Sequence, residues 1–256
     1  MKQALHAASR RFLPAALKRR IVSFGRKLDP ASFEELAYND LFAPNMTLGL
    51  QHLARRGLQP RHIVDVGAFH GDWSRMARGI WPQAQITMLE ANLDKKATLD
   101  PVAADIGAQL EFAVLGPEDG AEVVFHVMES GSSVLPENSP VDRREEARLT
   151  QRLDTLFPEN RPDFIKLDVQ GYELEVLKGA SALLADAQAV LMEVALIEIN
   201  KNAPLMTEVV GFMRERGFEV ADVLELHRRP LDRATNQVDL IFVPARSPLL
   251  SDKRHF

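Results

Sequence analysis

The chain has 256 residues, 46% hydrophobic and 26% charged, with a formal net charge of −5. These are ordinary globular values: no run of about 18 apolar residues spans a bilayer, and the acidic total speaks against a nucleic-acid binder. There is no cysteine, which excludes disulfides, thiolate metal sites and thiol nucleophiles and fits a reducing, cytoplasmic setting.

The charge is unevenly spread. Residues 1–28 carry Lys2, Arg10, Arg11, Lys18, Arg19, Arg20, Arg26 and Lys27 and no acid. Leu5, Phe12, Ala16, Leu17, Ile21 and Phe24 recur among them at roughly helical spacing. The apolar core and cleavage site of a signal peptide are missing. One or two basic amphipathic helices are expected, interrupted near Pro14. They suit either a partner-packed face or a peripheral contact with an anionic membrane surface.

From residue 60, short apolar runs alternate with amphipathic segments. Strands are expected at His62–Gly67, Gln85–Glu90, Gln109–Leu115, Glu122–Met128, Asp163–Asp168, Ala189–Val194, Phe218–Leu224 and Val238–Val243. Helices are expected at 72–80, 93–106, 172–185 and 205–216. Several strands are apolar on consecutive positions, as happens when helices cover both faces. The pattern predicts an α/β fold with a doubly wound, mostly parallel sheet. Residues 129–148 are polar and read as a long loop, the kind that often serves as a lid.

In such a sheet, ligands bind beyond the carboxyl ends of the strands. The first strand runs into "GAFHG": Gly67 permits a tight turn, and Gly71 lets the backbone pass close to a ligand. The second strand ends at Glu90, where an acid can accept two hydrogen bonds from a ribose diol. Together they suggest an adenosine-containing cofactor. A dinucleotide fingerprint needs a middle glycine to admit a pyrophosphate, and this turn has none. S-adenosylmethionine has no phosphate, and its cationic sulfonium and amino group suit an acid such as Asp65. A dinucleotide site and a purely structural turn remain the alternatives. Expected cofactor contacts are Asp65, Gly67, Ala68, Phe69 and Gly71 around the turn. Glu90 and Ala91 follow strand two, and Leu115 ends the third strand segment.

The stretch "FIKLDVQGYELEVLKG" turns a buried strand into a helix through two carboxylates and an amide. Asp168 lies at that strand's tip and Glu193 at the next. Both are candidate catalytic residues, as base or positioner, and together they offer a possible divalent-cation site. A turn aspartate bonding its own backbone is the alternative for Asp168. Glu173 suits the helix dipole, and Lys166 is expected to pair with an acid. His126 and His227 are further candidate bases. His70 sits in the cofactor turn, Phe69 and Trp73 suit packing on the first helix, and Tyr172 suits either the site or the core. The histidines show no paired spacing of the zinc-site kind.

"VDVGAFHGDWSRMA", "MLEAN", "FIKLDVQGYELEVLKGA", "LMEV", "FMRERGFEVADV" and "VDLIFV" occur in the order and spacing of the FkbM-type methyltransferases, which the chain resembles over about residues 60–243. The resemblance implies a class I, Rossmann-like, seven-stranded sheet with an antiparallel last strand. It implies S-adenosylmethionine-dependent O-methylation of a hydroxyl on a sugar, glycolipid, polysaccharide or polyketide-type acceptor. The division that follows is an N-terminal helical extension (1–58), a methyltransferase domain (59–246) and a tail (247–256). Two positions depart from the family pattern: Phe69 stands where Asn is usual, and Ala91 where Pro is usual. Phe69 leaves a non-catalytic cofactor-binding protein as the rival reading.

Overall fold

The computed structural model describes residues 15–254. In chain order the elements are α1 (Ala15–Leu28), α2 (Pro30–Leu41), α3 (Met46–Arg55), β1 (His62–Val66), α4 (Asp72–Ile80), β2 (Gln85–Glu90), α5 (Lys96–Ile106), β3 (Gln109–Phe112), β4 (Val114–Leu115), β5 (Glu122–Val127) and β6 (Arg144–Gln151). They continue with α6 (Leu153–Leu156), β7 (Phe164–Leu167), α7 (Glu173–Lys178), α8 (Ser181–Asp186), β8 (Ala189–Ala195), α9 (Met206–Glu215), β9 (Phe218–Arg228) and β10 (Thr235–Pro244). The break expected at Pro14 lies outside the described residues.

Seven strands form one sheet in the order β3-β2-β1-β7-β8-β10-β9, with β10 antiparallel to both of its neighbours. This is the doubly wound, mostly parallel sheet that the alternating pattern predicts. Alternate residues of each central strand feed two cores. Val64, Val66, Ile165, Leu167 and Met192 pack with Val176, Leu177, Leu183 and Met213 on one face. Ile63, Ile86, Met88, Phe164 and Leu191 pack with Leu50, Leu53, Ala77, Trp81 and Leu99 on the other. Burial on both faces explains the unbroken apolar runs of these strands.

β1 pairs with β2 on one side and β7 on the other. The winding reverses there, so a crevice opens above the carboxyl ends of β1 and β7. A three-stranded sheet, β4-β6-β5, is built on the same edge.

The structure corrects several sequence expectations. The strand expected over 109–115 divides at Ala113, giving β3 to the large sheet and β4 to the small one. The helix expected over 172–185 breaks after Lys178, because Gly179 packs directly on the backbone of Gly116. The end of the expected loop 129–148 is strand β6. Five of its eight residues are exposed, so it gives no apolar signal. The expected boundaries at 58/59 and 246/247 cut through packed structure: Leu50 and Leu53 of α3 are fully buried, and Leu249 joins the same core.

Gly67 follows β1 with φ 76°, and a Cβ at this position would overlap the carbonyl oxygen of Asp168. The left-handed backbone costs a side chain about 1–2 kcal/mol, and a rigid overlap adds about 1–3 kcal/mol. Gly67→Ala is therefore expected to lower the unfolding free energy by about 3 kcal/mol, measured by urea denaturation. A variant within about 0.5 kcal/mol of wild type, the range of a neutral surface change, would show that the two turns are not held in contact.

Candidate functional site

A cleft of about 910 Å³ opens where β1, β2 and β7 end. Of the expected cofactor contacts, Gly67, Phe69, Glu90, Ala91 and Leu115 line it, as do Asp168, Gln170 and Tyr172. Three expected contacts do not. Ala68 is buried and donates its backbone N–H to Leu89 (3.1 Å). Gly71 caps α4 against Val102. Asp65 is fully buried beneath the turn.

Glu90 stands at the rim between two backbone segments. One carboxylate oxygen accepts from Phe69 N–H (2.9 Å) and the other from Asn92 N–H (2.8 Å). Burial raises its pKa, while these donors oppose the rise. Each oxygen keeps a free lone pair, so the carboxylate retains capacity for a diol.

Asp65 is held by Ser74 Oγ–H (2.7 Å) and by Lys166 Nζ (3.0 Å). The expected acid partner of Lys166 is thus Asp65. Its ammonium also donates to the Gly67 carbonyl (2.9 Å) and lies 3.7 Å from Asp168 Oδ2. Burial disfavours the charged amine, but the carboxylates of Asp65 and Asp168 outweigh it and hold the pKa well above the ordinary lysine value.

The turn after β7 explains its unusual composition. Gln170 and Gly171 both take positive φ, 56° and 95°. A Cβ on Gly171 would come within 2.6 Å of Ala203 Cβ. Glu173 Oε1 accepts from Val169 N–H (3.0 Å) and Gly171 N–H (3.1 Å), so this acid clamps the turn that precedes its own helix. Burial pushes its carboxyl up to about 7. The Gln170 amide, thrown outward by this geometry, donates to Asp168 Oδ1 (2.7 Å) and Glu193 Oε1 (3.1 Å). The amide therefore ties the two candidate catalytic carboxylates together. Ser133 Oγ lies 3.0 Å from the carbonyls of both Val169 and Gln170, fastening the 129–134 segment to the same turn.

Beyond Glu193 the edge continues across β10 and β9. His227 Nε2 bonds to Asp239 Oδ2 (2.7 Å) and lies 3.7 Å from Glu193 Oε2. Glu193 also accepts from the Gln237 amide. The hydrogen bond to Asp239 raises the His227 pKa and favours the imidazolium. Burial raises that of Glu193, and neighbouring Asp168 adds to it. Glu193, His227 and Asp239 offer ligating atoms within 4.8 Å of one another. Asp168 is outside this group, because its oxygens face Gln170 and Lys166.

The remaining candidates are dispersed. His126 is buried on β5, 3.4 Å from Glu145, and does not line the cleft. His70 stacks on Phe69 with ring centres 3.7 Å apart. Trp73 packs edge-on against Phe164. Sequence reasoning missed Asn92, Lys95, Gln237 and Asp239. Asn92 had a local signal, its place two residues after Glu90, whereas Asp239 meets His227 only through the β9–β10 pairing.

The methyltransferase FkbM domain matches residues 65–220. Comparison with curated protein sequences gave no match. Among solved structures, the methyltransferase FkbM from Methylobacillus flagellatus is 16% identical with a TM-score of 0.45, covering 70% of this chain and 43% of its own. The magnesium protoporphyrin IX methyltransferase from Synechocystis, solved with bound S-adenosylmethionine, is 13% identical with a TM-score of 0.47, covering 77% and 76%. An S-adenosylmethionine-dependent methyltransferase from Clostridium acetobutylicum is 6% identical with a TM-score of 0.48, covering 82% and 96%. This chain thus spans less than half the length of the Methylobacillus protein. The domain match covers more than half of the sequence and includes both strand-end turns of the cleft, and the chain belongs to the FkbM methyltransferase family.

Proposed function

We propose that the chain transfers a methyl group from S-adenosylmethionine to a hydroxyl of a sugar, glycolipid, polysaccharide or polyketide-type acceptor. The observation that carries this reading is the Asp168–Gln170–Glu193 ladder, two carboxylates joined by one amide at the edge of a cleft that Glu90 also lines.

Bound S-adenosylmethionine supplies an electrophilic methyl group. The protein must hold the cofactor, place an acceptor oxygen in line with the sulfur–methyl bond, and take the hydroxyl proton. On this reading Glu90 accepts from the ribose diol and the Gly67–Phe69 backbone faces the methionine end. Asp168, with a side chain 38% exposed, receives the acceptor hydroxyl on an oxygen otherwise turned toward Lys166. The Asp168 carboxylate would take the hydroxyl proton as the methyl group is transferred. Gln170 fixes the orientation of that carboxylate. Glu193 takes a second acceptor hydroxyl. A vicinal diol suits two carboxylates bridged by one amide.

A second reading adds a divalent cation, favoured by the convergence of Glu193, His227 and Asp239. A cation there would orient an acceptor oxygen beside Asp168. The ligand set originally expected, Asp168 with Glu193, is replaced in this reading by one without Asp168.

Glu90→Gln keeps an acceptor oxygen for only one of the Phe69 and Asn92 amides and removes the charge. It is expected to weaken S-adenosylmethionine binding by about 1.5 kcal/mol or more, the scale of a hydrogen bond to a charged group. Calorimetry on the folded variant checks this, and unchanged affinity removes the ribose assignment.

Asp168→Asn keeps shape and loses basicity. Cofactor affinity is expected to stay within a few-fold of wild type while turnover falls about 10²-fold or more, the range for a lost general base. Methyl-label transfer over a panel of sugars and glycolipids provides the readout. A fully active Asp168→Asn enzyme would sink the assignment. Loss of turnover in EDTA that added magnesium or manganese restores would establish the cation reading, and indifference to EDTA would dismiss it.

A further inference from the structure

Helix α1 has an apolar stripe that the described residues do not cover. In α1, Leu17, Ile21, Phe24 and Leu28 follow one another at intervals of four, three and four residues, which places them on one face. All four are exposed, Phe24 at 64% and Leu28 at 70%. The contact of α1 with α2 lies elsewhere on the cylinder. Gly25 packs there so closely on the Phe33 ring that an added Cβ would lie 3.0 Å from it. α2 buries no residue, and Leu41 and Phe42 at its end are 72% and 86% exposed.

The charge on α1 is of one sign. Its sequence holds Lys18, Arg19, Arg20, Arg26 and Lys27 and no acid, on a chain whose total is acidic. Arg20, Arg26 and Lys27 are exposed, Arg20 and Lys27 on the flank of the stripe and Arg26 on the far side of the helix. Pairing two such stripes between copies of the chain would bring like-charged rows together, which opposes association. A surface of lipid phosphates accepts both components, apolar side chains at the acyl boundary and cations among the headgroups. No helix among the described residues is long and apolar enough to cross a membrane, so the contact would be in the plane of the interface.

The second of these helices, α2, lies near β9. Tyr38 and Glu34 of α2 are within electrostatic reach of Asp222 and Glu225 on β9. β9 is the edge strand that carries His227, and Glu225 is in register with Asp239.

We infer that α1 lies on an anionic lipid surface, with Leu17, Ile21, Phe24 and Leu28 inserted and Arg20 and Lys27 on the phosphates, so that the Glu193–His227 rim meets a lipid-linked hydroxyl acceptor. The acceptor clause rests on the proposed function. The surface clause stands without it, because vesicle binding requires neither cofactor nor turnover.

The test is sedimentation of the full chain with vesicles of phosphatidylglycerol and phosphatidylcholine, and of phosphatidylcholine alone, at low and high salt. The chain is expected to sediment with the anionic vesicles at low salt. Binding should fall about tenfold or more at high salt, as screening shortens the reach of the charges. Neutral vesicles should capture little. The double variant Ile21→Asp, Phe24→Asp should lose vesicle binding and keep wild-type S-adenosylmethionine affinity by calorimetry. Absence of sedimentation with anionic vesicles at low salt overturns the inference, and so does a double variant that binds them like wild type. A wild-type dimer in light scattering that the double variant abolishes, without vesicle binding, assigns the stripe to a second copy and also overturns it. If vesicles bind but no lipid-linked acceptor is methylated, the surface stands and the acceptor clause fails.

Discussion

A buried ammonium between two carboxylates sets the geometry of the site. Lys166 and Asp65 are direct partners in the parallel register of β1 and β7. Asp65 is wholly buried and the Lys166 side chain is only 9% exposed. Charges this deep cost several kcal/mol each to desolvate, and an unpaired one would cost about 3–5 kcal/mol of stability. The chain meets this cost with a full set of partners: Ser74, the Gly67 carbonyl and Asp168. A slip of one residue between β1 and β7 would turn every side chain of one strand to the opposite face and separate this pair. The register is therefore fixed by charge as well as by the apolar core. The same register brings the turn after β1 against the turn after β7, the contact that Gly67 permits.

Above that pair the edge of the sheet is strongly acidic. Glu90 ends β2, Asp168 follows β7, and Glu193 and Asp239 stand on the next two strands, β8 and β10, with Lys166 and His227 as the neighbouring cations. Such a rim favours a cationic methyl donor. It favours the neutral sulfide product less, since the sulfonium charge disappears as the methyl leaves. The proposed donor and this electrostatic profile thus support each other. An acidic rim is also poorly suited to a phosphate at the reacting end of an acceptor and well suited to a neutral diol. The cations of α1 lie on a different element from these carboxylates, so the proposed contact with an anionic surface and the proposed methylation of an uncharged hydroxyl would not conflict.

Much of this was legible in the sequence because it is local. The buried runs of β1, β2, β7 and β8 announce themselves through consecutive apolar residues. Gly67 and Glu90 announce a strand-end site through their place in the βαβ order. What escaped depends on pairings that separation in sequence hides. The tie between His227 and Asp239 needs the β9–β10 ladder. Its closeness to the turn suggests Asp65 as a cofactor contact, while in the structure it is fully buried against Lys166 and Ser74. Strand β6 was hidden because its surroundings are solvent, so no apolar alternation selects it. Gln170 was visible as an odd residue in an acidic turn. Its bridging role follows from a left-handed backbone that no side-chain pattern reveals.

Phe69 stands where three segments of the site meet. Its φ of 51° belongs to the left-handed region, where Asn is tolerated and a bulky residue costs about 1 kcal/mol or more. The departure from the family's usual Asn must therefore be offset locally. The Phe69 N–H donates to Glu90, its ring stacks on His70, and Lys95 Nζ sits 4.3 Å over the ring centre. Lys95 in turn donates to the Glu129 carbonyl (2.8 Å), at the start of the segment that Ser133 fastens to the Gln170 turn. The aromatic ring thus occupies a junction of the β1 turn, the residues after β2 and the 129–134 segment. The backbone donor that an αL residue presents to Glu90 is kept, because it belongs to the main chain. What changes is the wall of the cleft, where a ring and a cation stand in place of a short amide. The substitution leaves the hydrogen bond that positions the Glu90 carboxylate intact and alters the shape and polarity of the surface beside it.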